Sequence, residues 1–120
     1  MQYTYGQPRL GSRDISLYIQ SQAPSRGNNF RVTHTNDIVP QIPPRDLEPE
    51  WDHYFPEFWI FTDTVPVPEN DIKRVDGSLT STAGNEGDTS GLGFVVDVLT
   101  GIKAHSTYFG PISACESTAP

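Results

Sequence analysis

The amino-terminal third of this chain alternates between short apolar runs and turns. Polar and aromatic residues alternate in Gln2–Tyr5 before a Gly-Gln-Pro turn, which predicts a strand. A run from about Arg13 to Gln22 has helical spacing and follows Ser12, a favourable N-cap. Four of its residues are expected to face inward: Ile15, Leu17, Tyr18 and Ile19. Phe30–Val32 predicts a second strand, and the order strand, helix, strand predicts a parallel pair.

Prolines interrupt the middle of the chain, and residues 40–50 are therefore expected to be irregular. Glu57–Phe61 predicts a strand, and Ile72–Val75 predicts its return arm in an edge hairpin. Residues 77–93 predict a flexible surface loop, whereas residues 93–99 are too short to assign to helix or strand. We predict an α/β fold with an incomplete, mostly parallel sheet. Because such a sheet needs covering on both faces, we expect the chain to begin within a larger α/β domain.

Composition excludes several classes of function. The 120 residues include 10 glycines and 11 prolines and carry a net charge of −7, without the basic face that nucleic-acid binding requires. We expect no nucleic-acid partner, no membrane-spanning segment and, because the first residues lack a basic and apolar pattern, no signal peptide in this sequence. Motifs for nucleotide, zinc or calcium binding are absent, so neither a cofactor nor a metal is predicted.

Two residues are candidates for acid–base chemistry. Asp37 directly follows the second predicted strand, and the carboxyl ends of parallel strands line the ligand crevice of open α/β sheets. The alternative is an Asx turn, in which Asn36 or Asp37 bonds to its own backbone. His105 lies near the carboxyl terminus, and a lone histidine is more often structural than catalytic. An acid that precedes a base in the chain is the order found in α/β-hydrolases after their serine.

Segments in the same order along nearly the whole chain resemble the secreted fungal class 3 lipases, a family of triacylglycerol lipases and feruloyl esterases. The segments that carry this resemblance are Tyr3–Gly11, Arg31–Pro44, Pro56–Ile60, Val65–Val67, Asn70–Ile72 and Ala104–Gly110. Ser12 departs from the family pattern, which has asparagine there, and residues 77–100 also differ.

The resemblance implies that residues 1–120 are the carboxyl-terminal half of an α/β-hydrolase domain. Asp37 would be the catalytic acid and His105 the base of a serine, aspartate and histidine mechanism. The apolar residues beside the acid, Ile38, Val39 and Ile42, are expected to line an acyl pocket. Cys115 corresponds to a cysteine that the family bridges to its amino-terminal part, so its partner would lie outside this chain; the alternative is an incidental thiol.

The sequence contains no Gly-x-Ser-x-Gly motif, so the nucleophile is missing from it. We predict a lipase-type carboxylic ester hydrolase that acts on triacylglycerols or related lipid esters, with the 120-residue chain inactive alone. One alternative is a feruloyl-esterase-like hydrolase of plant cell-wall esters, and another is a non-catalytic truncated or degenerate product. The resemblance also implies an extracellular protein, whereas the oligomeric state is not predicted.

Overall fold

The structure is a computed structural model. It describes residues 2–22, 29–45, 49–77, 83–85, 98 and 100–111. Its strands are β1 (Gln2–Tyr5), β2 (Asn29–His34), β3 (Glu57–Ile60) and β4 (Ile72–Val75). The helix α1 spans Arg13–Gln22, two short 3₁₀ helices span Val39–Gln41 and Glu69–Asp71, and residues 100–105 are helical.

The four strands form one open sheet in the order β1-β2-β3-β4. β1 pairs with β2 and β2 with β3 in parallel, while β4 returns antiparallel to β3 as the edge hairpin. The predicted mostly parallel sheet with an edge hairpin is therefore confirmed. His34 and Ile60 are register partners at the carboxyl ends of β2 and β3, where the crevice of an open sheet lies.

One face of the sheet is apolar. The rings of Tyr3, Phe30 and Phe58 form a row across three strands, with centroids 4.6 Å and 5.4 Å apart. Val32 and Ile60 continue this face and pack with a later residue, Tyr108, in the main hydrophobic cluster. This face therefore brings the carboxyl-terminal segment against the sheet.

The opposite face buries a polar cluster. Arg31 and Glu57 form an ion pair at 3.1 Å, and both side chains are at most 2% exposed. The Thr33 hydroxyl donates to the Glu57 carboxylate at 2.5 Å, and the backbone amide of Asn85 donates to it at 3.0 Å. Because a buried charge is costly unless it is paired and hydrogen-bonded, these contacts make the burial of Glu57 possible.

The predicted orientation of α1 is wrong. Its expected inward residues include Ile15, Leu17 and Tyr18, which are 48%, 44% and 66% exposed, and Ile19 is half-buried. The buried residue is Ser16, whose hydroxyl donates to the Asp52 carbonyl at 2.9 Å. The helix packs against the irregular segment around Asp52, whose backbone groups need polar partners. This requirement determines which face of the helix is buried.

Other sequence predictions lie mostly outside the described residues. The surface loop at residues 77–93 is described only at 77 and 83–85, and the segment at 93–99 only at Val98, which is helical. No helix within the described ranges is long and apolar enough to cross a membrane.

A buried histidine supports the first 3₁₀ helix. His53 is only 3% exposed, and its Nε2 donates to the Pro40 carbonyl at 2.6 Å. Burial, reinforced by the positive charge of Arg31, lowers the pKa of His53 from 6.5 to about 2, so the folded protein holds it neutral.

We expect the free energy of unfolding to fall as the pH drops below 6.5, because the unfolded chain then binds a proton on His53 that the folded chain rejects. The loss from this group is at most about 1.4 kcal/mol per pH unit. Urea unfolding between pH 7.5 and 5 measures it, with His53→Gln as the non-titrating comparison. Equal pH dependence in both proteins would contradict the assignment.

Candidate active site

The chain leaves β2 through a strained turn. Thr35 has a φ of +36°, a left-handed conformation that is unfavourable for a β-branched residue. Its amide donates to the Ile60 carbonyl at 2.6 Å, and its own carbonyl accepts the Trp59 indole N–H at 3.0 Å. These bonds to β3 hold the turn that carries Asp37 out of the sheet.

Asp37 is fully buried, and its carboxylate accepts hydrogen bonds from three donors. His105 Nδ1 lies 2.9 Å from Oδ2 and 3.1 Å from Oδ1. The Tyr108 hydroxyl donates to Oδ2 at 2.5 Å, and the Val39 amide donates to Oδ1 at 2.9 Å. Three donors satisfy a charge that burial would otherwise make very costly. The structure thus brings together the two residues that the sequence predicted as acid and base.

Tyr108 is a permanent donor at this site. It is 3% exposed, and burial raises its pKa, with further contributions from the hydrogen bond and the negative charge of Asp37. The phenol therefore stays protonated throughout the range in which proteins are folded. It secures one carboxylate oxygen whatever the charge of His105.

His105 is the exposed member of the pair, with 39% of its side chain accessible. Since a carboxylate only accepts, Nδ1 carries the proton that is shared with Asp37. Among the described residues, the side-chain hydrogen bonds of His105 involve only Nδ1. Nε2 is thus available to act as a base towards a group in the crevice.

Two glycines permit the close packing of this site. A Cβ on Gly6, which has a φ of +58°, would lie 2.6 Å from His105 Nδ1 and 2.7 Å from the Tyr108 hydroxyl. A Cβ on Gly101 would lie 2.5 Å from the Asn36 carbonyl oxygen. The turn after β1 and the helical segment at 100–105 can therefore approach the acid and base only because these positions lack side chains.

The loop beyond Asp37 is held from a second side by Arg9, which is buried. The Arg9 guanidinium donates to the carbonyls of Gln41 and Pro43, the latter at 2.6 Å, and its amide donates to the Ile42 carbonyl at 3.0 Å. The turn after β1 therefore contacts both the base and the loop that carries the acid.

The predicted acyl-pocket residues lie around this loop in different environments. Ile38 is 7% exposed and packs beneath Gly101, whereas Ile42 is 39% exposed. Val39 is half-buried and contributes its amide to the carboxylate. Contact of these side chains with a substrate stays a prediction. Cys115 lies outside the described residues.

Sequence reasoning assigned no role to Tyr108, Gly6 or Gly101. Tyr108 lies three residues after the base, and Gly6 directly follows β1. A glycine at a strand end is a signal for close backbone approach, but the partner that approaches is visible only in three dimensions. Within the part of the chain that the structure describes, no group of three histidine, cysteine or acidic side chains could hold a metal ion.

Comparison with known proteins agrees with this geometry. A family model described as lipase (class 3) matches residues 1–47. The secreted mono- and diacylglycerol lipase A of Penicillium cyclopium is 41% identical over 113 residues, or 93% of this chain and 33% of the relative. The secreted mono- and diacylglycerol lipase 1 of Fusarium solani is 35% identical over 98% of this chain and 31% of the relative. The chain thus spans about a third of the length of the curated relatives that it matches.

Solved structures extend the similarity to the fold. A mutant form of MDLA from Penicillium cyclopium superposes with a TM-score of 0.73 at 39% identity, covering 93% of this chain and 37% of that one. The mono- and diacylglycerol lipase from Aspergillus oryzae gives 0.74 at 32% identity, covering 95% and 39%. The open sheet is accordingly part of an α/β-hydrolase fold, as the sequence predicted. The chain is thus similar to the fungal class 3 lipases over nearly its whole length.

Proposed function

We propose that this chain supplies the acid and the base of a lipase-type carboxylic ester hydrolase. The observation that carries the proposal is the 2.9 Å contact between His105 Nδ1 and the fully buried Asp37 carboxylate. A buried acid that fixes the tautomer of a partly exposed histidine is the arrangement that general-base catalysis by imidazole requires. The lipase names of the relatives support the same reaction class.

In the proposed mechanism, His105 Nε2 takes the proton of an attacking serine hydroxyl. The imidazolium that forms is stabilised by the negative charge of Asp37, and it returns the proton to the leaving alcohol. The resulting acyl-enzyme is hydrolysed by water activated in the same way. The serine and the donors that bind the oxyanion would come from polypeptide outside these 120 residues, with residues 1–120 acting as the carboxyl-terminal part of the domain.

The proposed substrates are lipid esters, and the acylglycerols are favoured. The secreted relatives from Penicillium cyclopium, Penicillium camembertii and Fusarium solani each match more than nine-tenths of this chain at above 30% identity, and their names contain mono- and diacylglycerol. Triacylglycerols remain within the proposal, since a plant triacylglycerol lipase is 40% identical over 53 residues. The word secreted in the names of the fungal relatives supports an extracellular location.

A chimera tests the proposal. These 120 residues would replace the matching third of the Penicillium cyclopium lipase, whose remaining part would provide the serine. We expect the chimera to hydrolyse a short-chain nitrophenyl ester and the isolated 120-residue chain not to do so. If the isolated chain hydrolysed the ester and His105→Ala abolished this activity, the proposal that the serine comes from other polypeptide would be contradicted. A folded but inactive chimera would favour the alternative that this chain is a non-catalytic product.

Within an active chimera, we expect His105→Ala to lower kcat by about 10⁶-fold, because it removes the base. Asp37→Asn should lower kcat by about 10⁴-fold, because the correct tautomer is lost. Tyr108→Phe removes one of the carboxylate's three donors and should lower kcat by about 10-fold. Steady-state kinetics at fixed pH measure all three. The proposal fails if Asp37→Asn keeps the activity of the unmodified chimera.

We expect Gly6→Ala to lower kcat by at least 10-fold, since its methyl group would displace the imidazole or the phenol from the carboxylate. Gly110→Ala is the matched control, because a Cβ there meets nothing within 4 Å. Comparing kcat with thermal stability separates the two effects of Gly6→Ala, a strained φ and a displaced base. Similar kcat values for both variants would contradict the close approach of Gly6 to His105.

A further inference from the structure

A short segment far along the chain contacts the turn that carries the acid. Asn85 is only 3% exposed, and its side-chain Nδ2 donates to two successive carbonyl oxygens. These are the oxygens of Thr35 at 3.0 Å and His34 at 3.3 Å, which lie 50 and 51 residues earlier in the sequence. One amide group therefore connects residues 83–85 to the end of β2.

This double contact depends on the left-handed conformation of Thr35. In an extended strand, successive carbonyls point in opposite directions, so a single amide nitrogen does not contact both. Thr35 leaves the strand with a φ of +36°, and its carbonyl then lies on the same side as that of His34. The side-chain amide of Asn85 has two N–H groups, one for each oxygen. Both bonds therefore favour the strained turn over an extended continuation of β2.

The same two carbonyls are also bonded to the acid and to β3. The carbonyl of His34 accepts the amide of Asp37 at 2.8 Å, and the carbonyl of Thr35 accepts the indole N–H of Trp59 at 3.0 Å. A carbonyl oxygen has two lone pairs, so both oxygens use their full capacity. Asn85 supplies one of the two donors at each oxygen. Its side chain therefore contacts the peptide groups on both sides of the strained residue.

The backbone of this segment is fixed separately from its side chain. The backbone amide of Asn85 donates to Glu57 Oε1 at 3.0 Å, and Glu57 is held in turn by its ion pair with Arg31. A Cβ on Gly84 would lie 2.5 Å from Glu57 Oε2, so the segment lies directly on this carboxylate. A substitution of the Asn85 side chain therefore removes the bonds to the turn and leaves the backbone contact with Glu57 in place.

We infer that Asn85 is a positioning residue for Asp37. Its side chain holds the left-handed turn from which the carboxylate points to His105, and it acts through the backbone of Thr35, without contact to the reacting atoms. The catalytic meaning of this inference rests on the proposed function, whereas the contacts themselves do not. Without the two bonds, the turn relaxes towards extended backbone and the carboxylate moves away from the imidazole.

Hydrogen exchange in the unmodified 120-residue chain tests the contact without any substitution. We expect the two Nδ2 protons of Asn85 to exchange at least about 10-fold more slowly than those of Asn70, which is exposed. Equal exchange of the two side-chain amides, measured by NMR, would overturn the inference. The measurement does not involve ester hydrolysis, so it separates a failure of the inference from a failure of the proposed function.

Asn85→Ala tests the positioning role. We expect loss of the low-field His105 Nδ1 proton signal that reports the contact with Asp37 and, in an active chimera, a kcat about 10-fold lower with KM unchanged. Ser16→Ala is the matched control, because it also removes a buried side-chain donor to a backbone carbonyl, and it should keep both the signal and kcat. Retention of the signal in Asn85→Ala, or its loss in both variants, would contradict the role.

A second substitution at the turn distinguishes positioning from general stability. Glycine adopts a positive φ without steric cost, so Thr35→Gly removes the strain that the Asn85 side chain offsets. Combined with Asn85→Ala, it should restore the low-field signal and most of the lost kcat. Combined with Ser16→Ala, it should leave both unchanged. Absence of recovery in the first combination would show that Asn85 does not act through the turn, and the inference would fail.

Discussion

The organising constraint of this structure is the burial of one carboxylate. Taking the Asp37 charge out of water costs several kcal/mol unless donors replace the water. Two of its donors, His105 and Tyr108, lie 68 and 71 residues further along the chain. The carboxyl-terminal segment must therefore dock against the sheet before the charge is satisfied. Formation of the contact between Asp37 and His105 and formation of the local tertiary structure are the same event.

Docking of that segment depends on unusual backbone positions. Thr35 adopts a left-handed conformation whose cost is on the order of 1–3 kcal/mol, and its amide and carbonyl both bond to β3. Gly6 and Gly101 remove the side chains that would keep the segments apart. The strained turn and the two glycines have the same effect. They allow the imidazole to approach the carboxylate with hydrogen-bond geometry. General stability alone would not require these positions.

The sequence predicted the sheet well because strands and hairpins leave local signals, such as alternation in Gln2–Tyr5 and the β-branched arm Ile72–Val75. The order of acid and base and the family resemblance also pointed to Asp37 and His105, which the structure places in contact, and their catalytic roles stay a prediction. The predicted buried face of α1 was wrong because the Ser16 hydroxyl donates to the Asp52 carbonyl. Hydrophobic periodicity cannot reveal such a contact. The support by Tyr108 was missed for the same reason.

The three histidines of the chain illustrate how acceptors determine what an imidazole can do. His53 faces one carbonyl in a buried site beside Arg31 and stays neutral. His34 is buried with both ring nitrogens at backbone carbonyls, so neither nitrogen is available to substrate. His105 has a carboxylate at Nδ1 and is partly exposed, so it alone combines a fixed tautomer with a nitrogen available to substrate. In the proposed role of His105 as a base, the acceptors that it lacks matter as much as the carboxylate that it contacts.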